Sequence, residues 1–463
     1  MRIARAAAVL AAIWAVLVRG PVGASEPDWN AVTTEAAALL SSYIRIDTAN
    51  PPGQTLRAAA FLQDQLRDAG IGTQMLAPDP QKPILMGRLK GKGTAGKPIV
   101  LLNHMDVVPA DAARWSFPPF SGEISDGVIY GRGALDMKGL AIAQLAALRL
   151  LAARGETTQH DVMFLAVPDE EVGGTMGAAW IAQQRPDLLE ATAVWDEGGI
   201  GITDMLPAPA LFISVTEKQV LWLRLVAEGP SGHGSRPFAD AAPRRLVEAV
   251  HRVLDSPPAP RLTPITREMF RRVGRDVGGL EGFAMRRLSN PVVWLFADGL
   301  LQQEPWSAAM TRDTVALTML DGGYKPNVIP ERAEAVLDCR LLPDTKPEVF
   351  IEQLRKTIAD AAIKIEVIQS PEPTASSPTN NPLFGAMRRA ASQVYPGVAI
   401  TESMTTGGTD SRFFRHRGVP AYGFFPVLIS KQLNATVHGV DERLPAEDLG
   451  KAVRVIYEAL KTL

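Results

Sequence analysis

Acids and imidazoles recur in this chain at the ends of apolar runs. The run 99–103 (IVLLN) is followed by His104 and Asp106, and the run 162–167 by Asp169, Glu170 and Glu171. Residues 193–195 lead into Asp196 and Glu197, and Asp136 stands just before a long Ala- and Leu-rich stretch. An imidazole with a carboxylate two residues away, on the same face while the chain stays extended, suits a metal ligand and the group that orients it. Taken alone, that pair is weak evidence, and Asp136 alone reads as an ordinary helix N-cap. Three consecutive acids after a buried strand are harder to dismiss. They repel one another and need a cation or a raised pKa to coexist. Solvated acids belong on helix faces, so carboxylates and an imidazole delivered by several neighbouring strand ends point to a two-metal hydrolytic site.

Such a site needs a scaffold that gathers strand ends. Runs 99–103, 162–167 and 193–195 are continuously apolar, as strands buried on both faces are, and they alternate with helical stretches such as 138–154. This predicts an α/β fold with a mostly parallel sheet flanked by helices, in which ligands collect beyond the carboxyl ends of the strands. Residues 33–69 read as helix broken at Asn50-Pro51-Pro52-Gly53. The character changes near Glu217. Strands are expected at 220–226, 315–320, 333–341 and 364–368, with helices at 244–254 and 347–361. Residues 256–264 carry four prolines and read as a loop, whereas 267–310 are irregularly amphipathic, with arginines on a solvated face. A Pro-, Ser- and Thr-rich connection at 371–382 precedes a helix at 383–394, a strand at 421–425 and a last helix at 446–460.

With 48 Lys and Arg against 50 Asp and Glu in 463 residues, the formal charge is −2, which argues against a nucleic-acid partner. Cys339 is the only cysteine, so an intrachain disulfide is excluded and any metal site must be built from His, Asp and Glu. Arg2 and Arg5 precede an uncharged apolar run at 6–18, and Val22-Gly23-Ala24 ends it. This pattern predicts a signal peptide over 1–24, a secreted or periplasmic protein, and no stable membrane insertion after cleavage.

HMDVVP (104–109), YGRGALDMKG (130–139), PDEEVGG (168–174), DEGG (196–199), GHGSRP (232–237), NVIP (327–330), GGTDSR (407–412) and HG (438–439) occur in this order. Together they resemble the zinc-dependent metallopeptidase family of aminoacylase, glutamate carboxypeptidase and succinyl-diaminopimelate desuccinylase, over roughly residues 30–463. The surroundings of Glu217, Lys218 and 322–330 look nearest to the branch of vacuolar-type carboxypeptidases and N-acyl-amino-acid hydrolases. The resemblance implies two zinc or cobalt ions per subunit. It assigns His104 to the first and Glu171 and His438 to the second, with Asp136 bridging. The remaining ligand is Glu197 by alignment of the strand end, with Asp196 as the alternative. Glu170 matches the catalytic base and Asp106 the acid that orients His104, and the Asp136–Met137 peptide is expected to be cis. The implied layout is a catalytic domain at 25–216 and 374–463 with a lid or dimerisation domain at 217–373, which makes a homodimer an expectation.

In that lid, His233 matches a histidine that stabilises the oxyanion, although by itself it reads as a polar turn residue between glycines. Asn327 and Arg340 match holders of a substrate carboxylate. The alternative for Arg340 is an ion pair with Asp338 or Asp344, and Arg412 is a weaker candidate for the same role. His160, His251 and His416 read as structural or exposed. The expected substrate is a small peptide or N-acyl amino acid with a free carboxylate. The rival readings are a two-metal aminopeptidase or dipeptidase, and a dead hydrolase fold that only binds. A phosphoesterase lacks a compact basic cluster for its phosphate.

Overall fold

The computed structural model describes residues 26–93, 96–371 and 374–463, so the expected signal peptide lies outside the described residues. The fold is mixed α/β. The chain forms two compact units: one holds the chain up to Ile213 with Pro378–Ile400 and Val419–Leu463, the other Ser214–Ser377 with Thr401–Gly418.

In the first unit the central strands lie in the order Gly72–Asp79, Lys82–Leu89, Val162–Val167, Ile99–His104, Ala193–Ile202, Ala421–Ile429. From Val162–Val167 to Ala421–Ile429 the neighbours are parallel; the hairpin at 72–89 adds an antiparallel edge. Every residue of Ile99–His104 and Val162–Val167 is buried, as strands covered on both faces require. The helix Lys138–Ala153 is buried most of the way round, packed against Trp29–Ile44 and Ala446–Lys461, which explains its apolar character on all sides. Register aligns the strand ends. His104 pairs with Val167, so residues 168–171 begin level with His104, and Leu101 pairs with Trp195, just before Asp196 and Glu197.

The second unit holds an antiparallel sheet in the order Thr314–Asp321, Arg332–Leu341, Gln219–Glu228, Lys364–Gln369. Alternate residues Leu221, Leu223, Leu225 and Leu337, Cys339, Leu341 point into a core closed by Leu246 and Val250 of one helix and Phe350 and Leu354 of another.

Two stretches go beyond what the sequence outlined. The lid was placed at 217–373, but Thr401–Gly418 groups with the second unit as well. The main-chain bond from Lys218 N to Thr405 O (2.9 Å) ties the segment there, as do the bonds from Thr409 N and Oγ1 to Glu217 Oε2 (both 2.8 Å). The irregularly amphipathic stretch at 267–310, for which no element was assigned, falls within the helices Pro264–Val277, Gly279–Arg286, Pro291–Leu301 and Pro305–Thr311. Its prolines start helices instead of breaking them. Pro264 follows the capping Thr263 hydroxyl, and Pro291 follows Asn290, whose side chain accepts from Val292 N and Val293 N. Pro291–Leu301 leaves Val292, Leu295, Phe296 and Leu300 exposed on one face.

Close backbone approach at one strand pair bears on the strand that carries Glu197. Gly423 lies opposite Asp196, and a Cβ on it would sit 1.9 Å from the main-chain oxygen of Glu197. Gly423→Ala must push these backbones apart. It should cost at least about 1–3 kcal/mol, read as a lower thermal transition, while Ala substitution at the open Gly155 turn should act only through its positive φ.

Candidate metal centre

Five side chains from five segments converge in the first unit. His104 Nε2 lies 3.2 Å from Asp136 Oδ1 and 3.6 Å from Glu197 Oε1. His438 Nε2 lies 3.1 Å from Asp136 Oδ2 and 3.3 Å from Glu171 Oε2. Each oxygen of Asp136 therefore faces a different imidazole. Ligand atoms of His104, Asp136 and Glu171 all fall within 4.8 Å of one another, and so do those of His104, Glu170 and Glu197. Asp196 belongs to no such group among the described residues. It neighbours Glu197 on an extended strand, where consecutive side chains take opposite faces. The Asp136–Met137 peptide is cis.

The surroundings hold these groups in place. His104 Nδ1 donates to the main-chain oxygen of Asp106 at 2.9 Å, since a carbonyl can only accept, and this turns Nε2 toward Asp136 and Glu197. The carboxylate of Asp106 was expected to orient that ring. It stands 3.6 Å from Nδ1, and it also accepts from Asn50 Nδ2 (2.8 Å) and the N–H groups of Glu170 (3.1 Å) and Glu171 (3.2 Å). Asp106 thus seats the backbone of the acidic turn. Asp169, at φ 79°, begins that turn and is held by Asn50 (3.1 Å), Lys82 (2.7 Å) and Thr175 (2.8 Å).

The electrostatics follow from burial against pairing. Burial alone would lower the pKa of His104, but the Glu197 charge and the contacts with Asp106, Asp136 and Glu197 raise it well above the ordinary histidine value. Hydrogen bonds to Asp136 and Glu171 push His438 up to about 10. Burial works to raise Asp136, yet the two imidazoles hold it far below the usual carboxylate range. Glu197 is raised well above its usual value, by burial first and then by the Asp136 charge. Without a metal, protons on the imidazoles must balance these acids.

The donors fit divalent ions. They are nitrogen and oxygen only, with one carboxylate placed to bridge, and Glu171 Oε1 is buried without a hydrogen-bond partner. Sequence reasoning missed the supports: Asn50, Lys82, Asp169, Arg132 and Glu442. Asn50 stood before two prolines and Arg132 between two glycines inside a quoted motif, while Glu442 gave no signal beyond following His438 by four residues.

The residues expected in the lid all lie in the second unit. His233 is exposed, its Nδ1 2.8 Å from Ser235 Oγ. Asn327 is exposed, and its main-chain oxygen accepts from Gly234 N at 2.9 Å. Arg340 makes the two-pronged ion pair with Asp338 that was its alternative reading, Nε to Oδ1 at 2.7 Å and Nη2 to Oδ2 at 3.0 Å. Arg412 donates to Thr409 O at 3.0 Å and stacks on Phe413. His160 donates to Lys97 O, and His251 is exposed beside Asp255.

Comparison with known proteins agrees with the chemistry of this centre. A family model described as peptidase family M20/M25/M40 matches residues 100–462. The chain is 31% identical to the human (Homo sapiens) N-fatty-acyl-amino acid synthase/hydrolase PM20D1 over 388 residues, 81% of this chain and 75% of that protein. It is 32% identical to pig (Sus scrofa) aminoacylase-1 over 435 residues, 92% of this chain and 95% of that protein. A crystal structure of an M20 family metallo-carboxypeptidase from Sulfolobus solfataricus shares the fold, with a TM-score of 0.71 at 22% identity over 92% of this chain and 98% of that one. The family match spans the strand ends from His104 to His438 and most of the chain besides, so the protein belongs to peptidase family M20/M25/M40 and is a hydrolase.

Proposed function

We propose that this hydrolase uses two metal ions to cleave the amide bond of an N-acyl amino acid, or of a small peptide, that ends in a free carboxylate. The observation that carries the reading is Asp136, with one oxygen 3.2 Å from His104 and the other 3.1 Å from His438. One ion would be held by His104, Glu197 and Asp136, the other by Glu171, His438 and Asp136. Zinc and cobalt both suit a nitrogen and oxygen donor set without thiolates. Bound there, the ions would supply Lewis acidity and bring the pKa of water toward neutrality. Glu170 reaches into the His104 and Glu197 group. It takes the proton of the attacking water and returns it to the leaving nitrogen, serving as base and then acid.

The substrate class is supported by the relatives, an N-fatty-acyl-amino acid synthase/hydrolase and an aminoacylase, both matched over most of this chain. Arg340, with Asn327, is proposed to hold the substrate carboxylate. Its Nε and one N–H of Nη2 point to Asp338, which leaves the two N–H groups of Nη1 and the second of Nη2 for this contact. The basic start and apolar run at 6–18 support export as the protein's destination. Fusion of residues 1–24 to a reporter should carry it across the membrane, and a reporter retained inside would remove this reading.

Glu170→Gln keeps size but removes the base. It should leave metal content intact and lower kcat by at least about a hundredfold, whereas His104→Ala should lose metal as well as activity. Full activity of Glu170→Gln at full metal loading would take Glu170 out of the chemistry. Arg340→Ala should reduce kcat/KM for N-acyl amino acids by roughly ten- to a hundredfold, the worth of a charge-assisted contact. The matching amides should change little. Equal losses for acids and amides would make Arg340 a structural partner of Asp338 and nothing more.

A further inference from the structure

The two segments that bring Asp136 and His438 together are joined by a buried latch. Glu442 is fully buried and receives four donors on two oxygens. Oε1 accepts from Leu135 N at 2.8 Å and from Asp136 N at 3.0 Å, and Oε2 from Gly133 N at 3.1 Å and from Arg132 Nη1 at 2.6 Å. That fills the lone pairs a carboxylate offers. Arg132 is itself buried and reaches on with Nη2 to the main-chain oxygen of Gly439 at 2.9 Å, one residue past His438. Gly131 N donates to Glu442 O at 2.8 Å, and Arg443–Pro445 continues the join by pairing with Val128–Tyr130. Trp115 covers the guanidinium at 5.2 Å.

We propose that Glu442 and Arg132 are positioning residues that set the separation of Asp136 and His438 and thereby the ion position between them; this rests on the two-metal reading above. Neither residue touches the proposed ions. Glu442 grips the main-chain amides of Gly133 and Leu135 and that of Asp136 itself. Arg132 ties the same carboxylate to the turn in which His438 sits at φ 58°. The planar guanidinium suits this task because its two nitrogens meet two acceptors in a fixed geometry, which a lysine cannot reproduce. Acids that shape a metal site through such outer contacts typically govern its affinity by ten- to a hundredfold.

The latch predicts an asymmetry between the two ions. Arg132→Met cuts the tie to Gly439 but leaves the Glu442 bonds to Leu135 and Asp136. It should weaken the ion that needs His438 and Glu171 by roughly ten- to a hundredfold and leave the ion at His104 and Glu197 unchanged. Glu442→Gln should weaken both, the His438 position more. Zinc titration of the metal-free wild type and of both variants, each shown folded by circular dichroism, reads these affinities directly. A wild type that binds fewer than two ions defeats the two-metal reading itself. A wild type that binds two, with variants that bind both as tightly, overturns the latch and leaves that reading standing. A merely structural role would lower the thermal transition and leave the affinities of folded protein alone. Because Glu442→Gln strands a buried arginine and could unfold the chain, hydrogen exchange in the metal-free wild type serves as a second measurement. The amides of Gly133, Leu135 and Asp136 should be protected before any ion binds, and exchange at the rate of an open loop would contradict the proposal.

Discussion

Like charges in a buried space govern this molecule. Asp136, Glu171 and Glu197 converge with Glu170 beside two imidazoles, and at these distances carboxylates in a low dielectric cannot all stay ionised unless positive charge lies between them. In the chain alone the histidines supply that charge, which is why His438 is pushed up to about 10 and Asp136 is held far down. Divalent ions would replace those protons at the same places. Much of the surrounding structure can be understood as the means of forcing the acids together.

The means are backbone bonds more than side-chain bulk. Parallel register puts the ends of Ile99–His104 and Val162–Val167 level, so the histidine and the acidic turn arrive side by side. The Asp106 carboxylate then clamps the amides of Glu170 and Glu171, and Glu442 clamps those of Leu135 and Asp136. Asp106 and Glu442 are each satisfied by several donors, so the repelling groups cannot relax apart without breaking a network that would be left partly unsatisfied. Gly423 allows the neighbouring backbone to come close enough for the Glu197 strand to join the sheet.

The inner strands Ile99–His104 and Val162–Val167 and the start of Ala193–Ile202 were legible because they are buried on both faces, and the ligand candidates because they follow those strands directly, whereas the edge hairpin at 72–89, with its half-exposed outer strand, was not expected. Val162–Val167 has the bounds expected from its sequence, and Ile99–His104 runs one residue further than expected. Other features were hidden for physical reasons. Three of the four helices at 264–311 begin at prolines, and a proline inside a polar stretch looks the same whether it ends a helix or opens one. The second task of the Asp106 carboxylate was hidden because its partners, the amides of Glu170 and Glu171, lie 64 and 65 residues away. Glu442 was invisible because nothing local marks an acid that meets residues 306 to 310 positions distant.

The central claim is that Asp136 stands between two ions. Crystals of zinc-loaded protein, measured on both sides of the zinc absorption edge, would locate the metal directly. The account predicts two anomalous peaks roughly 3.5–4 Å apart, the spacing of two-metal sites, each next to a different oxygen of Asp136. One of them should lie beside His104 and Glu197 and the other beside Glu171 and His438. A single peak, or two peaks that do not share Asp136, would contradict it.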